Sequence, residues 1–361
     1  MRNYKLILTI ITAIFVSLTF LGCEGDTGPK GPQGPAGEDG ADATLGPPDD
    51  RVFALAVFNG TQRDHNGNNT VTLTFDTTAV PSGNVVVGNK VDNPPVVDGV
   101  DDGSDFWGTN ISAIEMSHQA YADNFIDTCY LRCAYTDYAI YFQLKWTETE
   151  QGQYIVGEDT SHLPWSYNGS AGAFERLQEF EDKVALFFPP DEPKQFWKDF
   201  GCLTACHLGD GEPDYMRSTS GTDLIDVWQW SAARSQGTGI GFDRVLTNIP
   251  FNGFIFDGGV SPLLKNYLKL NDTTAAVPTM MHKYQLDNPS YVPEDPMLEY
   301  FAVPFVDTLD WQDGDMLPTW ILQPPSEGND LIMAEGKFDN GTWVVEFSRI
   351  RRTKDIYDAN F

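Results

Sequence analysis

The chain has 361 residues, 41% hydrophobic and 13% aromatic, enough to bury a large core. Its 52 acidic residues outnumber 23 basic ones, giving a formal net charge of −29 at pH 7 and an isoelectric point near 4.2. A surface of that sign repels phosphate, which argues against nucleic acid or anionic lipid as partners and suits basic redox proteins or divalent cations.

Arg2 and Lys5 precede an apolar run from Leu6 to Leu21, followed by Gly22 and Cys23. A basic head, an apolar middle and a small residue before the cut describe a secretory signal over residues 1–22, too short for a full span. A cysteine at the cut makes it a bacterial lipoprotein signal, with Cys23 lipidated and the mature chain held in the cell envelope. Glycines at 25, 28, 31, 34, 37 and 40 then keep a period of three. Only glycine fits at the axis of three wound polyproline-II chains, so residues 23–45 read as a collagen-like stalk. Two forms of that stalk stand open, a triple helix that would make the chain a homotrimer and a stiff monomeric spacer.

Beyond the stalk the pattern is β. Arg51–Phe58 and the run from Thr70 to Phe75 are strands separated by a turn-rich stretch, and Val85 begins a third, a small β segment over residues 46–89. Ile126 to Tyr135 alternates, with Cys129, Leu131, Cys133 and Tyr135 on one face. Asp137 turns the chain, and Tyr138 to Trp146 returns as the partner of a hairpin. Lys183–Phe188 and the run from Trp343 to Phe347 are further strands. Short strands with Gly/Pro-rich connections predict a mainly β fold over residues 90–361, an antiparallel β-sandwich with short helices in its long loops. From Lys198 to Ile249 the pattern loosens into long loops, where binding groups are displayed.

That region carries Cys202-Leu-Thr-Ala-Cys206-His207. Two thiols with an imidazole behind the second supply what covalent haem attachment needs, thioethers to two vinyl groups and an axial ligand from the same side. The spacing is one residue longer than the usual C-x-x-C-H. In an oxidising compartment the same two thiols also read as disulfide partners. With Cys23 lipidated, four of the five cysteines remain. On one extended strand Cys129 and Cys133 stand roughly 13 Å apart, beyond the ~7 Å a disulfide spans. They are therefore buried free thiols, partners of Cys202 and Cys206, or parts of a four-sulfur metal site. The acidic run from Asp98 to Asp105 lacks the EF-hand order and reads as a solvated turn.

Seven blocks in chain order carry a family resemblance. They are Pro95-Val-Val-Asp-Gly99 with Trp107, Tyr138-Ala-Ile-Tyr-Phe-Gln-Leu-Lys-Trp146, Glu181-Asp-Lys-Val-Ala-Leu186, Gly201-Cys-Leu-Thr-Ala-Cys-His207, Asp226-Val-Trp-Gln-Trp-Ser-Ala-Ala-Arg-Ser235, Gly314-Asp-Met-Leu-Pro318 and Gly341-Thr-Trp-Val-Val-Glu-Phe-Ser-Arg349. They resemble the haem-binding domain of the ethylbenzene and dimethylsulfide dehydrogenase gamma subunits, in particular its cytochrome-like members. The resemblance implies a jelly-roll-like sandwich, similar to some carbohydrate-binding modules, with one haem at its edge and electron transfer rather than catalysis. It makes Cys202 and Cys206 thioether sites, His207 an iron ligand and Met216 the opposite ligand, for a c-type haem. The gamma subunits proper hold a b-type haem non-covalently between Met and Lys. Where relatives carry an imidazole and an amine, this chain has Gln229 and Ser231, and it stops at Phe361, short of a strand that relatives continue.

Base-rate readings stand beside these. Met216 is as well a loop or core residue, Trp228, Trp230 and Arg234 pack the sandwich edge, and Met280-Met281-His282 is a reserve source of iron ligands. Two functions follow. One is a lipid-anchored haem electron carrier that exchanges electrons with a redox partner protein on the outer side of the membrane. The other is a haem-free surface module, for glycan or protein, with its cysteines in disulfides.

Overall fold

Alternation of apolar and polar residues builds the frame, because side chains on an extended strand point in turn to opposite faces. The computed structural model describes residues 45–58, 66–115, 128–147, 165–176, 182–189, 218, 224–232, 234–235, 238–248, 254–256, 261–266, 268–269, 276–293, 296–323, 332–353 and 355–361. The N-terminal 44 residues, with Cys23 and the glycine triplets, lie outside them. No described helix is long and apolar enough to cross a membrane.

The strands begin with β1 (Arg51–Phe58), β2 (Asn66–Thr74), β3 (Val85–Lys90) and β4 (Ser112–Glu115). The expected hairpin follows as β5 (Thr128–Tyr135) and β6 (Ala139–Thr147), in register from Cys129 opposite Trp146 to Tyr135 opposite Ile140. Next come β7 (Trp165–Asn168), β8 (Ala173–Arg176), β9 (Lys183–Phe188), β10 (Ile225–Ser231), β11 (Phe242–Leu246) and β12 (Phe254–Phe256). Short strands follow: β13 (Leu263–Lys265), β14 (Leu268–Lys269), β15 (Ala276–Val277), β16 (Met280–His282), β17 (Met297–Leu298), β18 (Ala302–Pro304), β19 (Met316–Leu317) and β20 (Trp320–Leu322). The described chain ends with β21 (Met333–Asp339), β22 (Thr342–Ile350) and the segment to Phe361.

Twelve strands form one sheet in the order β12-β11-β10-β9-β1-β2-β3-β5-β6-β22-β21, with β4 on β5. It rolls over so that two layers face each other, β12 to β2 in one and β5 to β21 in the other. Phe53 of β1 meets Phe142 of β6 at 5.8 Å, and Trp230 of β10 meets Trp343 of β22 at 4.8 Å. Opposite β3 the layers are stitched by backbone. Ile240 bridges Met333, and the Gly241 N–H donates to the Ile332 carbonyl at 2.9 Å. Trp230 fills this seam because position 336 is glycine; a Cβ there would stand 2.4 Å from its indole. The fold is mainly β and sandwich-like, as expected. The turn from one layer to the other is made by β3, which runs parallel to both β2 and β5, so the sheet is mixed rather than purely antiparallel.

The loops expected from Lys198 to Ile249 contain two paired strands, β10 and β11. All seven residues of β10 are buried. Trp228 and Trp230 face the sandwich core, while Ile225 and Val227 join Ala54, Ala56, Ala185, Phe187 and Leu246 in an apolar cluster on the outward face. A strand covered on both faces loses the polar half of its alternation, which is why its sequence reads as irregular. The two tryptophans therefore belong to the core, not to the sandwich edge. β1 lies between β9 and β2, and residues 45–361 make one compact unit.

Candidate functional site at the β9–β10 rim

Residues 190–217 and 219–223, with Cys202, Cys206, His207 and Met216, lie outside the described residues. Both roots of that stretch are described, and they lie at one rim of the sheet. The chain leaves β9 at Phe188, which pairs with Asp226 near the start of β10. It returns at Ser218, whose N–H donates to the Thr247 carbonyl just past the end of β11 (2.8 Å), and enters β10 at Ile225 opposite Leu246. The two ends of the cysteine-bearing segment are thus fixed at this rim.

The floor of the rim is aromatic and dry. Phe188 lies 5.0 Å from both Phe53 and Trp228, and Phe361 packs against Phe188 at 5.2 Å, Trp228 at 5.9 Å and Phe142 at 6.3 Å. Aromatic pairs at such spacing are worth about 0.5–1.5 kcal/mol each beyond their burial. Arg51 lies over the Phe361 ring, donates to the Pro189 carbonyl at 3.0 Å and to the Asn360 carbonyl. One guanidinium thereby joins the 355–361 segment to the root of the cysteine-bearing stretch. That segment closes the rim; it forms no strand.

Beneath the floor lies a buried charge centre. Arg349 ends the inward row Trp343, Val345, Phe347 of β22 and donates to Asp226 (2.7 Å), Asp358 (2.8 Å) and the Ala359 carbonyl (2.7 Å), with Asp243 at 3.8 Å. Asp226 also accepts from the Trp228 indole at 3.2 Å and the Ala359 N–H at 2.8 Å. Burial raises the Asp226 and Asp358 carboxyls above the usual range, with Arg349 opposing it. For Arg349 burial pulls downward, but the carboxylates of Asp226, Asp358 and Asp243 outweigh it and hold the guanidinium above its ordinary value. One oxygen from each aspartate lies within 4.8 Å of the others, a spacing that suits a cation, and the guanidinium is the cation these residues hold. The centre went unread in the sequence, although a signal was there: an arginine at an inward register position of an apolar strand needs a buried anion.

The remaining expected site residues fall elsewhere. Cys129 and Cys133 are free thiols with no exposure, facing the core beside Leu131. Burial pushes the Cys129 thiol up to about 12, with that of Cys133 also raised, which makes both inert as nucleophiles or ligands. Among the described residues both stand unpaired, the first of the outcomes that the strand spacing left open. His282 is buried, accepts the Tyr284 N–H on Nδ1 at 3.1 Å and lies 4.7–4.9 Å from the rings of Tyr284, Tyr291 and Phe301. Met281 packs in a small core with Trp165, Trp311 and Leu317. That reserve cluster is structural. Gln229 donates to Ser231 at 3.3 Å on the outward face of β10, and Arg234 lies over Phe242 and Trp320.

The donor chemistry of the rim segment suits an iron porphyrin. It offers two thiols, an adjacent imidazole and a thioether, rooted on a floor from which water is excluded. Comparison with known proteins bears on the same region. No curated protein matches the chain. The family profile described as ethylbenzene dehydrogenase matches residues 108–361, which takes in β4 to β22 and the whole cysteine-bearing segment. Spanning well over half of the sequence, this match places the chain in the ethylbenzene dehydrogenase family.

Proposed function

We propose that the chain is a haem-binding electron-transfer protein, anchored through a lipid on Cys23 to the outer side of a bacterial membrane. In this reading Cys202 and Cys206 would hold the porphyrin by thioethers, and His207 and Met216 would ligate the iron. The glycine triplets lift the sandwich off the surface. The observation that carries the reading is that the family match covers the sandwich from β4 onward together with the segment whose ends lie at its rim. The state of the other cysteines supports it. Cys129 and Cys133 stand free and buried in the core, which is compatible with Cys202 and Cys206 being taken up by a porphyrin.

The haem, when bound, supplies one-electron chemistry at iron. The chain fixes the ligands, keeps water off and leaves one edge accessible to a partner, without chemistry on a substrate of its own. A thioether and an imidazole as ligands would favour ferrous iron and raise the potential. The excess of 29 negative charges suits a redox partner with a basic face and predicts association that weakens as salt rises.

The test is the reduced spectrum of the mature protein before and after acid-acetone extraction. An α-band that survives extraction is expected for thioether attachment, and His207→Ala should then lose the low-spin spectrum. An extractable pigment would move the haem to non-covalent ligands. A colourless protein with Cys202 bonded to Cys206 in non-reducing mass mapping would sink the haem reading and leave a surface module with a glycan or protein client.

A further inference from the structure

The outward face of the second layer carries a polar row across four strands: Arg132 of β5, Gln143 of β6, Glu346 of β22 and Glu335 of β21. Glu346 has no solvent exposure, and Gln143 only 2%. They are covered by the strap of residues 95–103, which overlaps the acidic run from Asp98 to Asp105 expected to be a solvated turn. The strap grips the sheet at two kinds of point. Glu346 Oε2 accepts the backbone N–H groups of Asp98 and Gly99, both at 3.0 Å, while its Oε1 accepts from Gln143 at 3.0 Å. Outside this, Arg132 donates to Asp101 at 2.9 Å, with Lys145 3.8 Å from the same carboxylate. Gly99 lies so close to β21 that a Cβ would stand 2.7 Å from the backbone of Gly336 and Lys337, and its φ of +72° further requires glycine.

We propose that this strap is a proton-sensitive latch: its hold on the β21–β22 edge depends on whether Glu346 carries a proton. The geometry concentrates the inner attachment on one side chain. Among the described residues the carboxyl receives three neutral donors and no cation of its own, because Arg132 is turned to Asp101 and to the far side of Gln143. The charged or titratable groups facing it are Glu335 and Lys337 on β21, Arg132 on β5, Lys145 and Tyr141 on β6, and Asp98, Asp101 and Asp102 on the strap.

The direction follows from burial. Desolvation raises the Glu346 carboxyl from 4.5 to about 7, against the lowering effect of Gln143, Asp98 and Gly99. A proton therefore binds the closed strap more tightly than an open, hydrated one. Closure is strongest below pH 4.5 and weakens as pH rises through 7. Opening would bare Glu346 and the edge of β21 to water. The latch lies outside the cysteine-bearing segment and does not depend on haem.

The test is amide hydrogen exchange of the strap peptide in the full chain, corrected for intrinsic rates, from pH 5.5 to 8.5. That shift predicts a roughly 30-fold loss of protection at Asp98 and Gly99 across this range. Glu346→Gln should abolish the slope, and Asp101→Asn should retain it while lowering protection at every pH. Constant protection in the natural chain would overturn the proposal. So would a slope that persists in Glu346→Gln or vanishes in Asp101→Asn. Should Glu346→Gln fail to fold, the natural chain and Asp101→Asn still decide.

Discussion

Two buried carboxylate centres stand on opposite faces of β22, three residues apart, and they are built differently. Inside the sandwich, Asp226 and Asp358 surround a guanidinium that burial cannot neutralise, because the acids around it hold its proton. Outside, among the described residues, Glu346 is met by neutral N–H donors and can escape its charge by taking up a proton. The first is a fixed staple between the two layers and the 355–361 segment. The second is adjustable. A buried charge becomes a switch only where its partners are neutral and a proton can replace them.

The comparison breaks first at the staple. Arg349→Met should cost about 3–5 kcal/mol, since it strands Asp226 and Asp358 in the core without a cation. Urea midpoints at pH 7 would measure it, and a loss below ~1 kcal/mol would mean those acids are already neutral. Lowering the pH should relieve part of the cost, because both carboxyls are raised by burial and accept protons readily.

Glu346 sharpens the contrast. Its folded value lies above its unfolded one, so its contribution to stability is complete below pH 4.5 and is lost as pH rises through about 7. Glu346→Gln should therefore gain up to about 3 kcal/mol over the natural chain at pH 8 and little at pH 4.5, as denaturation at the two pH values would report. Equal effects at both would place the cost in packing instead. The smallest effect is expected outside. Arg132→Gln removes a partly exposed ion pair with Asp101 and should cost about 0.5–1 kcal/mol, fading in high salt.

Much of the frame was legible because one face of each strand meets the core. β1 and β9 match their expected bounds, the β5–β6 hairpin turns at Asp137, and Cys129 and Cys133 share the inward face assigned to them. β10 was hidden by burial on both faces, and the parallel placement of β3 by the absence of any local mark for strand direction. At the rim, the sequence did not reveal the aromatic floor between the ends of the cysteine-bearing segment. Phe361 packs with Phe142, and Arg51 reaches the Asn360 carbonyl, across most of the chain's length.

Sequence alone determined what is local: the strand periodicity, the glycine triplets, the basic-apolar leader and the thiol–imidazole spacing of Cys202, Cys206 and His207. Each depends on side chains a few residues apart and on the geometry of a single extended or coiled segment. Tertiary structure decided which of these would meet. Arg349 finds Asp226 123 residues away and Glu346 finds Asp98 248 away, and no local pattern encodes such pairings. They arise because two layers must close over one apolar core, and closure buries charges that then need partners from whichever strands lie opposite.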